Sequence, residues 1–194
     1  MPKIIGANLE SNREIRRNQL IDAALSLVLE KGASALTVTA VAKRAGLSRS
    51  SIYEYFSSSA DLVADLIMEE LENYSKSLSV AVINCNQTPE AQIESWINEA
   101  LNYVVDGRHL LAKSLNAVAA KDFRESEIGI AHRNLLKTII GPLQDFGVKD
   151  IKISLNYLQA IIDCATQRIE SGNDSAPEID NAIKFALAGL TALR

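Results

Sequence analysis

Residues 37–56 read TVTAVAKRAGLSRSSIYEYF and decide the fold of the first part of the chain. Thr37 and Ser48 are suited to cap helices, because a side-chain hydroxyl oxygen can accept a hydrogen bond from a free N–H of the first turn. Gly46 separates two segments that each carry apolar residues at helical spacing. Two short helices joined by a glycine-containing turn form a helix-turn-helix unit. The inward-facing positions are Val38, Val41 and Ala42 in the first segment and Ile52 and Phe56 in the second.

The residues before this unit predict one longer amphipathic helix. Ser11 and Glu14 have the spacing of a capping box, in which both side chains accept hydrogen bonds from free backbone N–H groups at a helix start. Gly32 supplies a residue that adopts the left-handed conformation at a helix end without steric cost. We therefore expect a helix from about Ser11 to Gly32 that braces the two short ones. Its apolar face is formed by Leu20, Ala24, Leu27 and Val28.

Helix start and stop signals continue over the rest of the chain. Thr88-Pro89 suits a helix start, because a proline in the first turn loses no hydrogen bond. Gly141-Pro142 is expected to bend or break a helix that runs from about residue 125 to 146. Ser175 is expected to cap the last helix. No segment favours a β-strand over a helix, so the sequence predicts an all-α fold of about nine helices.

The composition limits the class of protein. With 194 residues and 47% hydrophobic content, the chain is long enough for one or two domains with buried cores. Its apolar runs are shorter than the roughly 20 residues that cross a bilayer, and its start lacks the apolar core of a secretion signal. We therefore expect a cytoplasmic protein with no membrane partner. Cys85 and Cys164 have neither disulfide nor zinc-site spacing, which leaves reduced packing residues or a redox switch as interpretations.

Charge is distributed unevenly along the chain. Residues 1–56 carry eight Lys and Arg against five Asp and Glu, whereas residues 57–194 carry twelve against nineteen. A basic head on an acidic body indicates that only the head binds a polyanion. His109 and His132 lack the second ligand three or four positions away that a helical metal site needs, and no catalytic triad or phosphate loop stands out. We predict no enzyme activity, no metal and no cofactor.

Residues 13–66 resemble the DNA-binding domain of the tetracycline-repressor (TetR) family of bacterial transcriptional regulators. The resemblance implies an N-terminal three-helix helix-turn-helix domain over residues 1–57, ordered from about residue 11. It implies a helical effector-binding and dimerisation domain over residues 58–194. The implied function is a repressor that binds a palindromic double-stranded DNA operator as a homodimer and is released by a small molecule, although activation stays open. The residues that carry the resemblance are Gly32, Thr37, Ala45-Gly46-Leu47-Ser48, Ile52-Tyr53, Tyr55-Phe56 and Leu62.

The second short helix of such a unit lies in the major groove with its N-terminal residues facing the base edges. Arg49 is the long cationic side chain at that end, and a guanidinium can bond both guanine O6 and N7, so we predict that Arg49 reads the sequence. The resemblance assigns Tyr53 to a phosphate, with packing against the first helix as the alternative. Lys43 and Arg44 either contact phosphates or form a solvated face. The predicted DNA-binding residues are Thr37, Thr39, Lys43, Arg44, Ser48, Arg49, Ser50, Ser51, Tyr53 and Tyr55.

Two positions depart from the family pattern. Ser50 stands where many members have Gly, and Ser59 stands where a phosphate-contacting Lys is usual. The absence of that Lys would remove one phosphate contact and lower the affinity for DNA. An alternative function follows, that of a helical interaction protein whose helix-turn-helix no longer binds DNA. The presence of Arg49 and Tyr53 argues against this alternative.

The last two helical segments carry more apolar surface than one core buries. The family equivalent is a homodimer, with predicted interface residues Leu155, Leu158, Ile162, Ile179, Ile183, Ala186, Leu187 and Leu190. The helices from about residue 60 to 146 would then enclose a pocket for an unidentified small-molecule effector. Its candidate lining residues, each with ordinary packing as the alternative, are Trp96, Tyr103, Asn116, Phe123, His132 and Tyr157.

Overall fold

The computed structural model describes residues 3–85, 88–109 and 125–194, and the regular secondary structure within them is entirely helical. The prediction of an all-α fold is therefore confirmed. No helix of the described residues is long and apolar enough to cross a membrane. The helices, numbered within the described residues, are α1 (Lys3–Lys31), α2 (Val38–Arg44), α3 (Arg49–Ile52), α4 (Ser59–Asn84), α5 (Pro89–Val105), α6 (Glu125–Lys137), α7 (Ile140–Phe146), α8 (Ile151–Glu170) and α9 (Ser175–Ala192).

The described residues divide into two compact units. The first contains residues 3–69 and 125–128, and the second contains residues 70–85, 88–109 and 129–194. The division falls within α4, between Glu69 and Glu70. The predicted domain boundary after residue 57 stays a prediction.

The first unit is built as the sequence pattern predicts around its two short helices. The Thr37 hydroxyl oxygen accepts a hydrogen bond from the Ala40 N–H at 3.1 Å and begins α2. Gly46 has a φ of 69°, the left-handed value that the turn between α2 and α3 requires. The prediction for α1 is wrong in one respect, since this helix begins at Lys3 and not at Ser11. The buried apolar residues of this unit include Leu20, Ala24, Leu27, Val28, Val38, Val41, Ala42, Ile52 and Phe56.

The second unit packs the later part of α4 with α5, α7, α8 and α9 around one apolar core. The helix expected over residues 125–146 is broken at Thr138 and Ile139, before Gly141. The reason is that Pro142 has no N–H for the Thr138 carbonyl four residues earlier, where its ring also obstructs the helix. The last helix is capped by Asp174 and not by Ser175, because the Asp174 carboxylate accepts the Ala176 N–H.

Candidate nucleic-acid interface

One flank of α2 is free to face a nucleic acid. Thr39 and Lys43 lie four residues apart, on the same side of the helix, and both are exposed. Their flank borders the buried face formed by Val38, Val41 and Ala42. Among the residues that the structure describes, none forms an ion pair with Lys43. The Lys43 ammonium is therefore available to a phosphate.

Arg44 lies on the opposite flank of α2 and is held by α1. Its two terminal nitrogens bond the two carboxylate oxygens of Glu30, with Nη1 at 2.8 Å from Oε1, and Nη1 also donates to the Ser26 hydroxyl at 2.6 Å. The bonds from the Arg44 guanidinium lower the pKa of the Glu30 carboxyl, and Glu30 in turn raises the pKa of Arg44. Both groups therefore stay charged, and Arg44 is an ion-paired residue in this structure. The sequence pattern does not identify Glu30 or Ser26 as its partners.

The N-terminal end of α3 presents hydroxyls and one long cation to solvent. The Ser48 hydroxyl oxygen accepts a hydrogen bond from the Ser51 N–H at 3.1 Å, which confirms the predicted cap. The same Ser48 oxygen lies 2.8 Å from the hydroxyl oxygens of Ser50 and Ser51, so the three hydroxyls share hydrogen bonds. Arg49 and Ser50 are exposed beside them. Arg49, which is predicted to contact a base, is therefore accessible to DNA at the capped end of α3.

The tyrosines that follow α3 differ in exposure. Tyr53 is 46% exposed, which leaves its hydroxyl accessible to a phosphate. Tyr55 is half-buried, and Phe56 next to it belongs to the core. This exposure fits both the predicted phosphate contact and the alternative of a half-buried residue packed against α1, so the role of Tyr53 stays a prediction.

Two arginines of α1 fix the end of this segment. The Arg13 guanidinium donates to the Glu54 carbonyl oxygen at 3.1 Å. Arg17 forms an ion pair with Asp65 at 2.5 Å, and its guanidinium carbon lies 5.7 Å from the centre of the Phe56 ring. The chain that follows α3 is therefore tied to α1.

The family's usual Lys is replaced at the start of α4. Ser59 is the first residue of this helix and is exposed. The Asp61 carboxylate accepts the Ser57 N–H at 2.8 Å, and the Ser58 hydroxyl oxygen accepts the Asp61 N–H at 3.1 Å. These bonds form a capping box that holds the entrance to α4 without a basic side chain.

Two of the predicted effector residues belong to the packed interior of the second unit. Trp96 is only 3% exposed, and its indole N–H donates to the Thr138 hydroxyl oxygen at 2.7 Å. Tyr103 stacks on Tyr74 with ring centres 3.9 Å apart and donates to the Glu70 carboxylate at 2.7 Å. Burial, followed by the bond to Glu70, raises the pKa of Tyr103 well above its ordinary value, so this phenol stays neutral.

Two further effector candidates are exposed side chains. His132 is exposed on α6, and Tyr157 is 62% exposed on α8. Asn116 and Phe123 lie outside the described residues. The predicted lining of the effector pocket therefore stays a prediction.

The predicted dimer residues separate into two groups. Leu158, Ile162, Ala186 and Leu190 are buried within the second unit itself, whereas Leu155, Ile179, Ile183 and Leu187 are half-buried. The exposed apolar face of α8 and α9 contains instead Tyr157 and Phe185, the latter 74% exposed. Between these two aromatic residues lies a groove of about 520 Å³. We call this surface the α8–α9 groove; Ala160, Cys164 and Ala182 also line it.

The sequence pattern missed Phe185 because it lies beside the apolar stripe of α9 and not within it. Ala182 and Ala186, three residues before and one after, are buried, whereas Phe185 points to solvent. A large aromatic residue on the flank of an alanine-containing apolar stripe is the signal that could have identified it.

Residues 20–66 match the family model described as bacterial regulatory proteins, tetR family. The helix-turn-helix part of the chain therefore matches the TetR family. The HTH-type transcriptional regulator BetI from Brucella abortus is 31% identical over 103 residues, which are 53% of this chain and 48% of BetI. The chain spans about half the length of the curated relatives it matches.

Solved structures show a similar fold over most of the chain. FadR from Bacillus subtilis, determined in complex with stearoyl-CoA, superposes with a TM-score of 0.69 at 18% identity over 88% of this chain and 97% of FadR. A TetR-family transcriptional regulator from Streptomyces coelicolor has a TM-score of 0.65 at 19% identity over 92% of this chain and 99% of its own. At these identities the similarity is one of fold.

Proposed function

We propose that this protein is a ligand-responsive transcriptional regulator that binds a palindromic DNA operator as a homodimer and represses transcription in the cytoplasm. The observation that carries the proposal is the capped α3 helix, whose N-terminal end presents Arg49 to solvent beside the exposed Lys43 of α2. The match of residues 20–66 to the TetR model supports the same function.

The residues of the interface have different roles in this proposal. Arg49 bonds the O6 and N7 atoms of one guanine in each half-site and supplies sequence preference. Lys43 and Tyr53 contact phosphates and set the position of α3 in the groove. Thr39 shares the exposed flank of Lys43 and adds a hydroxyl donor. Ser48, whose hydroxyl oxygen already accepts the Ser51 N–H, keeps the helix start in place.

In the proposed two-fold homodimer, the α8–α9 groove is the surface that a second copy of the chain covers. Tyr157 and Phe185 expose large apolar side chains beside small ones, an arrangement that a second copy of the same surface can cover. Two identical recognition helices then meet equivalent half-sites, which makes the operator a palindrome. This interface uses the outer face of α8 and α9, while Leu158 and Leu190 remain in the core of each protomer.

Release by a small molecule is proposed for the second unit. The FadR structure of the same fold was determined with stearoyl-CoA, which supports a ligand-binding role for the helical part of this chain. A ligand lowers the DNA affinity by its preference for the conformation that does not bind DNA.

The test begins with selection of bound sequences from a random DNA pool, followed by fluorescence anisotropy on the recovered operator and on random DNA. Arg49→Ala is expected to cost about 1–3 kcal/mol on the operator and little on random DNA. Lys43→Ala is expected to weaken both alike, and Lys137→Ala, an exposed lysine of the second unit, serves as the control with no effect. Failure to recover any preferred sequence would favour a helical interaction protein that no longer binds DNA.

A further inference from the structure

Lys43 and Arg44 are consecutive basic residues, but the structure directs them to different surroundings. Successive helix residues lie about 100° apart around the axis, so the two side chains leave α2 on opposite sides of its buried face. Lys43 faces solvent with Thr39. Arg44 faces α1, where Ser26 and Glu30 lie one turn apart. The two residues are therefore not equivalent candidates for phosphate contact.

The interaction between Arg44 and α1 has the geometry of a specific pair. Both terminal nitrogens of the guanidinium bond both oxygens of Glu30, an arrangement that adds directionality to the charge attraction. The Ser26 hydroxyl receives a further bond from Nη1 at 2.6 Å and lies 3.4 Å from the Glu30 carboxylate. The positive charge of Arg44 is thus neutralised and its donors are directed toward α1.

Arg44 also lies close in sequence to the start of α3. It is the last residue of α2, and the turn that follows is closed by the Leu47 N–H donating to the Ala42 carbonyl at 2.9 Å. Ser48 then caps α3 four residues after Arg44. The bonds that hold the end of α2 on α1 therefore also restrain the position of α3 relative to the major groove of the DNA.

We propose that Arg44 is a positioning residue that acts through Glu30 and Ser26, and that it does not contact phosphate. The inference rests on the proposed function, since it concerns how the same helix-turn-helix unit binds DNA. When DNA is bound, the ion pair between Arg44 and Glu30 stays intact. The α2 residue that neutralises a phosphate is Lys43. A phosphate would have to replace both carboxylate bonds and the hydroxyl bond and leave the Glu30 charge unpaired next to DNA.

The first experiment compares Glu30→Gln with the wild-type protein in anisotropy titrations at several salt concentrations on the selected operator. Removal of the carboxylate charge loosens the end of α2, and the affinity is expected to fall about two- to fivefold, the range of an exposed ion pair. The slope of log K against log salt stays unchanged, because the number of bound phosphates is the same in both proteins. Tighter binding with a steeper slope would show that Glu30 withholds Arg44 from DNA, and would overturn the inference.

The second experiment exchanges the charges in the double variant E30R/R44E. Arg44→Glu alone places two carboxylates together and is expected to weaken binding more than Arg44→Ala, whereas the double variant restores the pair and recovers affinity to within about threefold of wild type. Binding by the double variant no stronger than by Arg44→Glu would overturn the inference, because a phosphate contact requires a cation at position 44. Thermal unfolding of each variant confirms that it is folded.

Salt dependence supplies the matched control on the neighbouring residue. Lys43→Ala is expected to reduce the salt slope by about 0.9, because one phosphate is no longer neutralised, whereas Arg44→Ala leaves the slope unchanged. Equal reductions in the two variants would assign both residues to phosphates. If the wild-type protein binds no DNA with a salt-dependent affinity, the proposed function itself fails. If it binds and Glu30→Gln binds more tightly, only the role of Arg44 is wrong.

Discussion

Replacing Thr138 with Val removes the hydrogen-bond acceptor of the Trp96 indole. The indole N–H donates to the Thr138 hydroxyl oxygen at 2.7 Å, and that hydroxyl donates in turn to the Leu135 carbonyl oxygen at 2.6 Å. Trp96 is 3% exposed, so water cannot readily replace the missing oxygen. Val has nearly the shape of Thr, and the substitution therefore tests the polar relay rather than packing.

The expected cost follows from the donor that is left without a partner. An unsatisfied buried N–H costs about 1–3 kcal/mol in the free energy of unfolding, and for a chain of this size each kcal/mol lowers the melting temperature by about 2–4 °C. Thr138→Ser keeps the hydroxyl and is expected to cost less than Thr138→Val. Thr191→Val is the matched control, because the exposed Thr191 hydroxyl donates only to the Leu187 carbonyl oxygen of its own helix.

Urea unfolding measures these free energies, with circular dichroism for helix content and fluorescence for the indole, since Trp96 is the single tryptophan of the chain. The reasoning is refuted if Thr138→Val costs no more than Thr138→Ser or Thr191→Val. The same series bears on the effector pocket, because an indole N–H engaged with Thr138 is not free to bond a ligand.

Three further predictions concern the interface, the α3 cap and pH. Phe185→Asp is expected to yield monomers in sedimentation velocity at tens of micromolar. Ile83 of α4 is an apolar residue of similar exposure, and Ile83→Asp is expected to leave the dimer intact. Dimers of both variants would place the interface elsewhere. Ser48→Ala should cost about 0.5–2 kcal/mol in thermal unfolding, because the cap of α3 is removed, and an unchanged melting curve would contradict this. The Arg168 bonds lower the pKa of Glu178 from 4.5, so the pair stabilises the fold above about that pH and its contribution is lost as pH falls through the lowered pKa. The difference in melting temperature between wild type and Glu178→Gln should accordingly be constant near neutral pH and shrink in acid; a difference that grows in acid would reverse the sign.

The local features of the first unit could be predicted from the sequence. Thr37, Gly46 and Ser48 act on backbone groups within a few residues of themselves, so their effect depends little on the rest of the chain. The apolar spacing of α2 and α3 likewise determined which residues are buried. The start of α1 at Lys3 could not be predicted in this way, because a capping-box spacing at Ser11 is equally compatible with the interior of a helix.

The partners of individual side chains could not be predicted. The sequence pattern left Trp96 as either a pocket residue or a packed one. Its bond to Thr138 could not be predicted, because it depends on where the helix break before Pro142 falls. Leu158 and Leu190 carry the periodicity of an interface, but periodicity does not distinguish the side that packs on the protein's own core from the side that packs on a partner.

The sequence by itself determined that this is an all-α protein with a helix-turn-helix unit, because capping, glycine turns and apolar spacing are local properties of the chain. Only the tertiary structure decided that Arg44 is paired with Glu30 while Lys43 faces solvent. The same is true of Phe185, which is exposed beside the buried Ala186. The physical reason is that the environment of a side chain depends on residues distant in sequence, and these are brought near it only when the helices pack.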